Sequence, residues 1–535
     1  TSKGVNLSHW INCMHLFSGK EYLVKAIDEI NNKKSSNLSV EEKINLIVTD
    51  HDLKLLKEWG FKHLRVPFDP ETFFNADHPE ILSNDHYWNI FEKQIERLLS
   101  CGFAVSVDMH NHSWTKSYLV SPENIKKAAI FWQALAKRLK KYNPDFLFFE
   151  IANEPGIEIH KWRQIQWELI KGIRAAAPQH TLIASGGGEF AGYEDLPLFV
   201  PYENEKNIIY VFHYYVPNIF CHQGAKWYSW KIAGAIQGLD WPVTKESLLK
   251  IINTTADPEL KKSAGQWIDS GRFLDENEKT MLERFEEISR WSKKYDTLVL
   301  CNEFGCTQYF DESGNSLVPA RARLYWYKNV VENLEKCNIA WTAWAYSSPF
   351  GIVNNVKGAG LYSPKPVVAN YELLTVMGMN TGKDIKIDFS DFYSSVTNRE
   401  YCMQAENTVL SIEGKGSIQE MKFAEAKNGK YIKFDSPGKS NTIIFTLKNI
   451  DNGLYDVVIR YNAAPYRGIC EINCNKIITT FDQYSSEIIY KNFRIGNVSA
   501  DKNEIIIKCM ISGRNASANA WHLAFDEFTL VPLSK

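Results

Sequence analysis

Nowhere in the 535 residues does an apolar run reach the roughly 18 to 20 that a helix needs to cross a bilayer, so no membrane-spanning segment is expected. An excess of one charge is missing too. The 61 Lys and Arg stand against 63 Asp and Glu, which leaves no electrostatic footprint for nucleic acid or an anionic membrane and points to a neutral substrate. The ten cysteines contain no Cys-x-x-Cys pair and no Cys/His spacing of a metal site, so they read as small buried residues. One bridge, Cys470–Cys474, is conceivable across a single hairpin. The glycine run Ser185–Gly188 lacks the Lys and following Ser/Thr of a phosphate loop and reads as a tight turn.

What the chain has in quantity is length and aromatic rings. It is too long for one hydrophobic core. Up to about residue 380, short apolar strands alternate with longer helical patterns, the signature of βα units around a parallel sheet. Eight strands can be picked out: GVNLS, FKHLRVPF, FAVSVDMH, FLFFEIAN, TLIASGGG, IIYVFHYY, TLVLCNEF and IAWTAWAY. Eight is the number that closes a (β/α)8 barrel, and residues such as Phe146 to Phe149 suggest strands apolar on both faces. Thr49 with Asp52 predicts a capped helix ending at Gly60, Asp275 with Glu278 predicts another, and VVANYELLTVMG supplies the last. Two connections are long, residues 11 to 48 and 217 to 274, the second carrying Trp227, Trp230, Trp241 and Trp267. From Tyr401 onward, alternating strands separated by Gly/Asn/Asp turns predict an antiparallel β-sandwich. The expected domains are 1–385 and 398–535. A secreted, cell-surface or periplasmic location is expected.

Two stretches carry chemistry. FEIANEPG around Glu154 and LVLCNEFG around Glu303 are apolar strands that end in a glutamate where the chain opens into a loop. Retaining glycoside hydrolysis needs two such carboxylates, about 5–5.5 Å apart, facing each other across a sugar. A barrel gathers catalytic residues at the C-terminal ends of different strands. Asp108, His110 and His112 alternate in DMHNHSW and could in principle ligate a metal, but strict alternation would point all three into a packed barrel.

With these motifs the first 375 residues resemble glycoside hydrolase family five, the cellulase A family of clan A. Asn153-Glu154-Pro155 and Glu303-Phe304-Gly305 match its two signatures, and Arg65, His110, His213, Tyr215 and Trp344 match its other recurrent positions. The resemblance implies that Glu154 is the acid/base, carrying its proton while the sugar is bound, and that Glu303 is the nucleophile. It further implies that Arg65 and Tyr215 hold Glu303, that His213 orients Glu154, and that Asn153 bonds the sugar's 2-hydroxyl. Trp344 would be a floor under the sugar, with His110 binding a hydroxyl beside it. No cofactor is implied for catalysis. A β-1,4-glucanase is the first expectation, with an exo-acting β-glucosidase or β-mannosidase, or a β-mannanase, as alternatives; a lectin-like binder with a dead barrel fits less well. The second half more loosely resembles the β-sandwiches of carbohydrate-binding module families six and thirty-five. That implies a structural calcium at Gln404, Glu406 and Asp526, and a sugar platform drawn from Tyr466, Tyr484, Asn519 or Trp521. Oxygen ligands of this kind suit calcium.

Overall fold

A computed structural model describes the chain except for residues 1, 18, 32–33, 229–230, 256, 270–277, 311–315, 354–360, 363–364, 390–400, 452, 476 and 533–535. The chain divides into two compact units, Thr1–Lys386 and Ile387–Lys535. In the first, eight parallel strands close a barrel in chain order. They are β1 (Lys3–Asn6), β2 (His63–Phe68), β3 (Ala104–Met109), β4 (Leu147–Glu150), β5 (Leu182–Ser185), β6 (Ile208–Tyr214), β7 (Leu298–Phe304) and β8 (Ala340–Ala343). All eight expected strands are present, and β8 returns to β1 with Thr342 beside Gly4.

Burial on both faces explains why β2 reads as a nearly unbroken apolar string, since all six of its residues are buried. The start of β4 differs from the expectation. Phe146 is 45% exposed because it precedes the strand at the barrel's N-terminal mouth, and Phe148 is only partly buried there against Ile183, Val211 and Leu300. Local signals place the helix Asp50–Trp59: Thr49 and Asp52 form the capping box, Leu53, Leu56 and Trp59 face the core, and Gly60 closes it at φ 95°. Asp275 lies outside the described residues; the helix Glu278–Tyr295 leads into β7. The last barrel helix is shorter than expected, Tyr371–Val376, because the Asn370 side chain accepts from the Leu373 N–H and caps it there.

Both long connections are helical. After β1 come Glu21–Asn31 and Val40–Ile47, and after β6 come Lys245–Thr254 and Pro258–Asp269. Trp241 is an anchor, buried with its Nε1 donating to Asn329 Oδ1 at 2.7 Å, whereas Trp227 is 61% exposed and donates to the Tyr309 hydroxyl at 2.7 Å. Trp230 and the Trp267 side chain lie outside the described residues. Among the described residues no helix is long and apolar enough to cross a membrane.

The second unit is an antiparallel β-sandwich. One sheet holds Val409–Glu413, Thr442–Lys448, Glu504–Gly513, Ile469–Cys474 and Ile477–Asp482 in that order, and another holds Ile489–Ala500, Gly453–Ala463, Glu527–Pro532 and Tyr401–Gln404. Inward residues of both, among them Phe445, Ile507, Ile459 and Phe528, form one core. The conceived Cys470–Cys474 bridge is excluded. Both residues lie on the single strand Ile469–Cys474, four positions and so about 13 Å apart, far beyond disulfide reach.

Candidate active site

β2 delivers Arg65 to the barrel interior with no solvent exposure, and burial of a guanidinium demands partners. It has three carboxylates. Nη1 donates to Glu303 Oε1 at 2.5 Å, Nε and Nη2 hold both Glu150 oxygens at 2.8 and 2.6 Å, and Nη2 lies 3.0 Å from Asp108 Oδ2. Asn6 and Asn153 accept from the same fork at 2.9 and 2.7 Å. The three negative charges outweigh the cost of burial and hold the Arg65 pKa above its ordinary value.

Glu303 stands at the end of β7, where the ladder with β6 slips: Phe212 pairs with Cys301 but His213 pairs with Glu303. The extra residue is Asn302, so this is a bulge. It allows two consecutive residues to face inward, because Asn302 Nδ2 donates to Glu150 Oε1 at 2.7 Å while Glu303 meets Arg65. Tyr215, just past β6, donates its hydroxyl to Glu303 Oε2 at 2.9 Å. Burial opposes ionisation of Glu303, but His213, Arg65, His110 and the Tyr215 hydroxyl together pull its pKa below the ordinary glutamate value. A carboxylate ionised across the working pH range is what a nucleophile requires.

Glu154 lies four residues beyond β4 and is partly exposed. His213 Nδ1 sits 2.8 Å from Glu154 Oε1 and 3.5 Å from Glu303 Oε2, so one imidazole faces both acids. Burial depresses the His213 pKa, but Glu303 and Glu154 outweigh it and the net shift is upward. These three groups have the composition of a metal site. The nitrogen and hydroxyl donors of Arg65, Tyr215 and His213, however, already point at the carboxylate oxygens that an ion would need.

On the far side, His110 donates from Nδ1 to Asp108 Oδ2 at 2.7 Å and stacks on the Trp344 ring, centroids 5.3 Å apart and planes 11° apart. Asn153 Nδ2 approaches His110 Nε2 at 3.4 Å. The Asp108–His110 pair therefore serves this network; His112 begins the helix His112–Tyr118, and its side chain lies outside the described residues. Gly305 has a steric reason: a Cβ there would come within 2.4 Å of the Trp344 carbonyl oxygen. Gly188, in the SGGG turn, has φ 75°, and a Cβ would strike the Asp195 carboxylate at 2.2 Å.

All eight barrel positions singled out in the sequence are thus gathered at one rim. Sequence reasoning missed Glu150, Asn302 and Asn6. The signal for Glu150 was present, since a lone acid inside FLFFEIAN is a buried charge that must be paired.

In the second unit, Asp526 is fully buried, ion-paired with Arg460 and within 3.3 Å of the Lys427 N–H; Glu406 Oε1 accepts from Asn428 Nδ2 at 3.2 Å. The two acids are thus approached from one turn, while Gln404 Nε2 donates to Glu527 Oε2 at 2.7 Å. Gln404 Oε1 and Glu406 Oε2 are buried with no hydrogen-bond donor among the described residues, which fits a cation; Arg460 is the charge that would compete for Asp526. Tyr466, Asn519 and Trp521 lie in loops joined through Asn519 N to Pro465 O at 3.2 Å and His522 N to Tyr466 O at 3.4 Å, and Tyr484 forms an isolated parallel bridge with Ala464.

The family model described as Cellulase (glycosyl hydrolase family 5) matches residues 27–349, more than half of the chain. Endoglucanase 3 of Fibrobacter succinogenes is 24% identical over 326 residues, which are 58% of this chain and 47% of that protein, so the match spans about half of that relative's length. Endoglucanase C of Acetivibrio thermocellus is 22% identical over 358 residues, 64% of this chain and 90% of the relative. Solved structures of Thermotoga maritima Cel5A with cellobiose and with mannotriose share the fold at 23% identity, with TM-scores of 0.50 and 0.51, covering 70% of this chain and 97% of Cel5A.

Proposed function

From the premise that the chain belongs to glycosyl hydrolase family 5, which it does, we propose that it hydrolyses β-linked neutral glycans with retention of configuration, as an endo-β-1,4-glucanase. One observation carries the mechanism: an oxygen of Glu154, an oxygen of Glu303 and a ring nitrogen of His213 all lie within 4.8 Å of one another. That closeness suits direct attack by a carboxylate. An inverting enzyme separates the pair by roughly 6.5–9.5 Å to admit a water.

In the first step a Glu303 oxygen attacks the anomeric carbon while Glu154 passes its proton to the departing glycosidic oxygen, leaving an α-linked glycosyl ester. In the second, Glu154 takes a proton from water, the water oxygen attacks the same carbon, and Glu303 leaves as carboxylate. Arg65 and Tyr215 hold the nucleophile charged before attack and receive its charge back on departure. The Asn153 amide bonds the 2-hydroxyl, and Trp344 with His110 supports the ring.

The glucan assignment rests on the relatives named endoglucanases and on Cel5A accepting cellobiose; the mannotriose complex supports β-mannan as the second reading. Action on such polymers goes with a secreted or cell-surface location. Proton NMR during hydrolysis of cello-oligosaccharides should show the β-anomer first, and the products should form a ladder. An α-anomer first would sink the mechanism, and monosaccharide alone would make the enzyme an end-trimmer.

For the second unit the proposal is a glycan-binding sandwich with calcium at Gln404, Glu406 and Asp526, supported by the orphan oxygens of Gln404 and Glu406. Millimolar calcium should raise the thermal midpoint of this unit in the full chain, and chelator should reverse it. A midpoint indifferent to both would show that Arg460 alone neutralises Asp526.

A further inference from the structure

The chain leaves β1 through Leu7, Ser8, His9 and Trp10, and every neighbour of His9 is pinned. Leu7 N donates to Arg65 O at 2.9 Å, Ser8 Oγ to Ser347 O at 3.5 Å, and the buried Trp10 ring donates to Ile44 O at 2.9 Å. His9 itself has φ 53°, in the left-handed region that glycine enters freely and a side chain does not. Its carbonyl accepts from the Tyr362 hydroxyl at 2.6 Å, which holds the conformation in place. A non-glycine residue kept in such a backbone is a reason to look for work done by its side chain.

The ring is half-buried, with Nδ1 3.3 Å from Ser8 Oγ and Nε2 without a hydrogen-bond partner among the described residues. Burial, and then the nearby His110, lower its pKa to about 4, so at neutral pH it is an uncharged imidazole able to donate at one nitrogen and accept at the other. His110 is the group stacked on Trp344. In an eight-strand ring β1 lies directly across from β5, and Glu154 follows β4, the neighbour of β5. The acid marks the side on which the leaving sugar departs, so β1 marks the side of the sugar that is retained.

We propose that His9 is a substrate-binding residue that hydrogen-bonds a hydroxyl of the second sugar on the retained side, one ring beyond the unit over Trp344. This rests on the glycosidase reading above. Its chemistry suits a neutral pyranose, with no charge to match and one polar nitrogen to offer.

His9→Gly separates this role from a structural one, because glycine relieves the backbone while deleting the ring. The full-length variant should melt no lower than wild type. Its kcat/KM on p-nitrophenyl β-cellobioside should fall about tenfold, mainly through KM, the size expected for one lost hydrogen bond. On p-nitrophenyl β-glucoside, which has no second sugar, it should match wild type. His9→Asn, which tolerates the backbone and keeps a polar head, should recover part of the loss. An active wild type with an equally active His9→Gly on the cellobioside would overturn the assignment, as would a fall in melting temperature that accounts for the loss. A wild type inert on every β-glycoside would instead remove the glycosidase reading.

Discussion

Glu303→Ala should reduce kcat by roughly 10⁴-fold or more while leaving the melting temperature close to wild type, as removal of an attacking group does in other covalent mechanisms. The fold should survive because Arg65 keeps Glu150 and Asp108 as partners, so no buried charge is stranded. The vacated space beside Arg65 should also accept azide. With an activated aryl β-glycoside, azide would attack the anomeric carbon from the face Glu303 used, expel the phenolate and yield an α-glycosyl azide. Recovery of that product by NMR identifies Glu303 as the nucleophile. Unchanged turnover in the variant, or a β-azide, would assign the attack elsewhere.

Arg65→Met should be the most damaging single substitution for stability. It removes the guanidinium and leaves Glu150, Asp108 and Glu303 facing one another without solvent. Breaking a buried pair by deleting one partner costs about 3–5 kcal/mol, which corresponds to a fall in melting temperature on the order of 10 °C. Burial already pushes the Glu150 pKa upward against the pull of Arg65. Without Arg65 that shift grows, and carboxyls raised above their unfolded values destabilise the fold progressively as pH rises through the window between the two. The variant should therefore be less deficient at pH 4 than at pH 8, in thermal melts across that range. Arg65→Lys keeps one charge but loses the fork, and should recover stability in part while the acid limb of activity moves to higher pH as Glu303 becomes harder to ionise. A variant with wild-type melting at pH 8 would contradict this account.

What the sequence revealed follows from how local each signal is. The helix after Thr49 is written in its own residues, cap to Gly60, and the eight strands are written as apolar runs. Glu154 and Glu303 stand out because each interrupts such a run at its end. The partnership of Glu150 with Arg65 joins residues 85 apart, and no periodicity carries it. The hairpin that was to bring Cys470 to Cys474 turns later than the spacing suggested: Asn475, at φ 45°, begins the turn only after both cysteines have passed. Phe146 looked like core because composition does not say where a strand enters the barrel. His9 gave no pattern at all, since only the backbone conformation distinguishes it.

The slipped ladder at Asn302 has a consequence for how such a barrel can diversify. A regular strand of the same length would turn residue 303 toward the surrounding helices, so the attacking group faces the cleft by virtue of a count of residues as much as of its identity. Drift that alters the loops leaves that count intact. A single insertion or deletion within β7 does not, and new specificities are accordingly more accessible through the connections than through the strands they join.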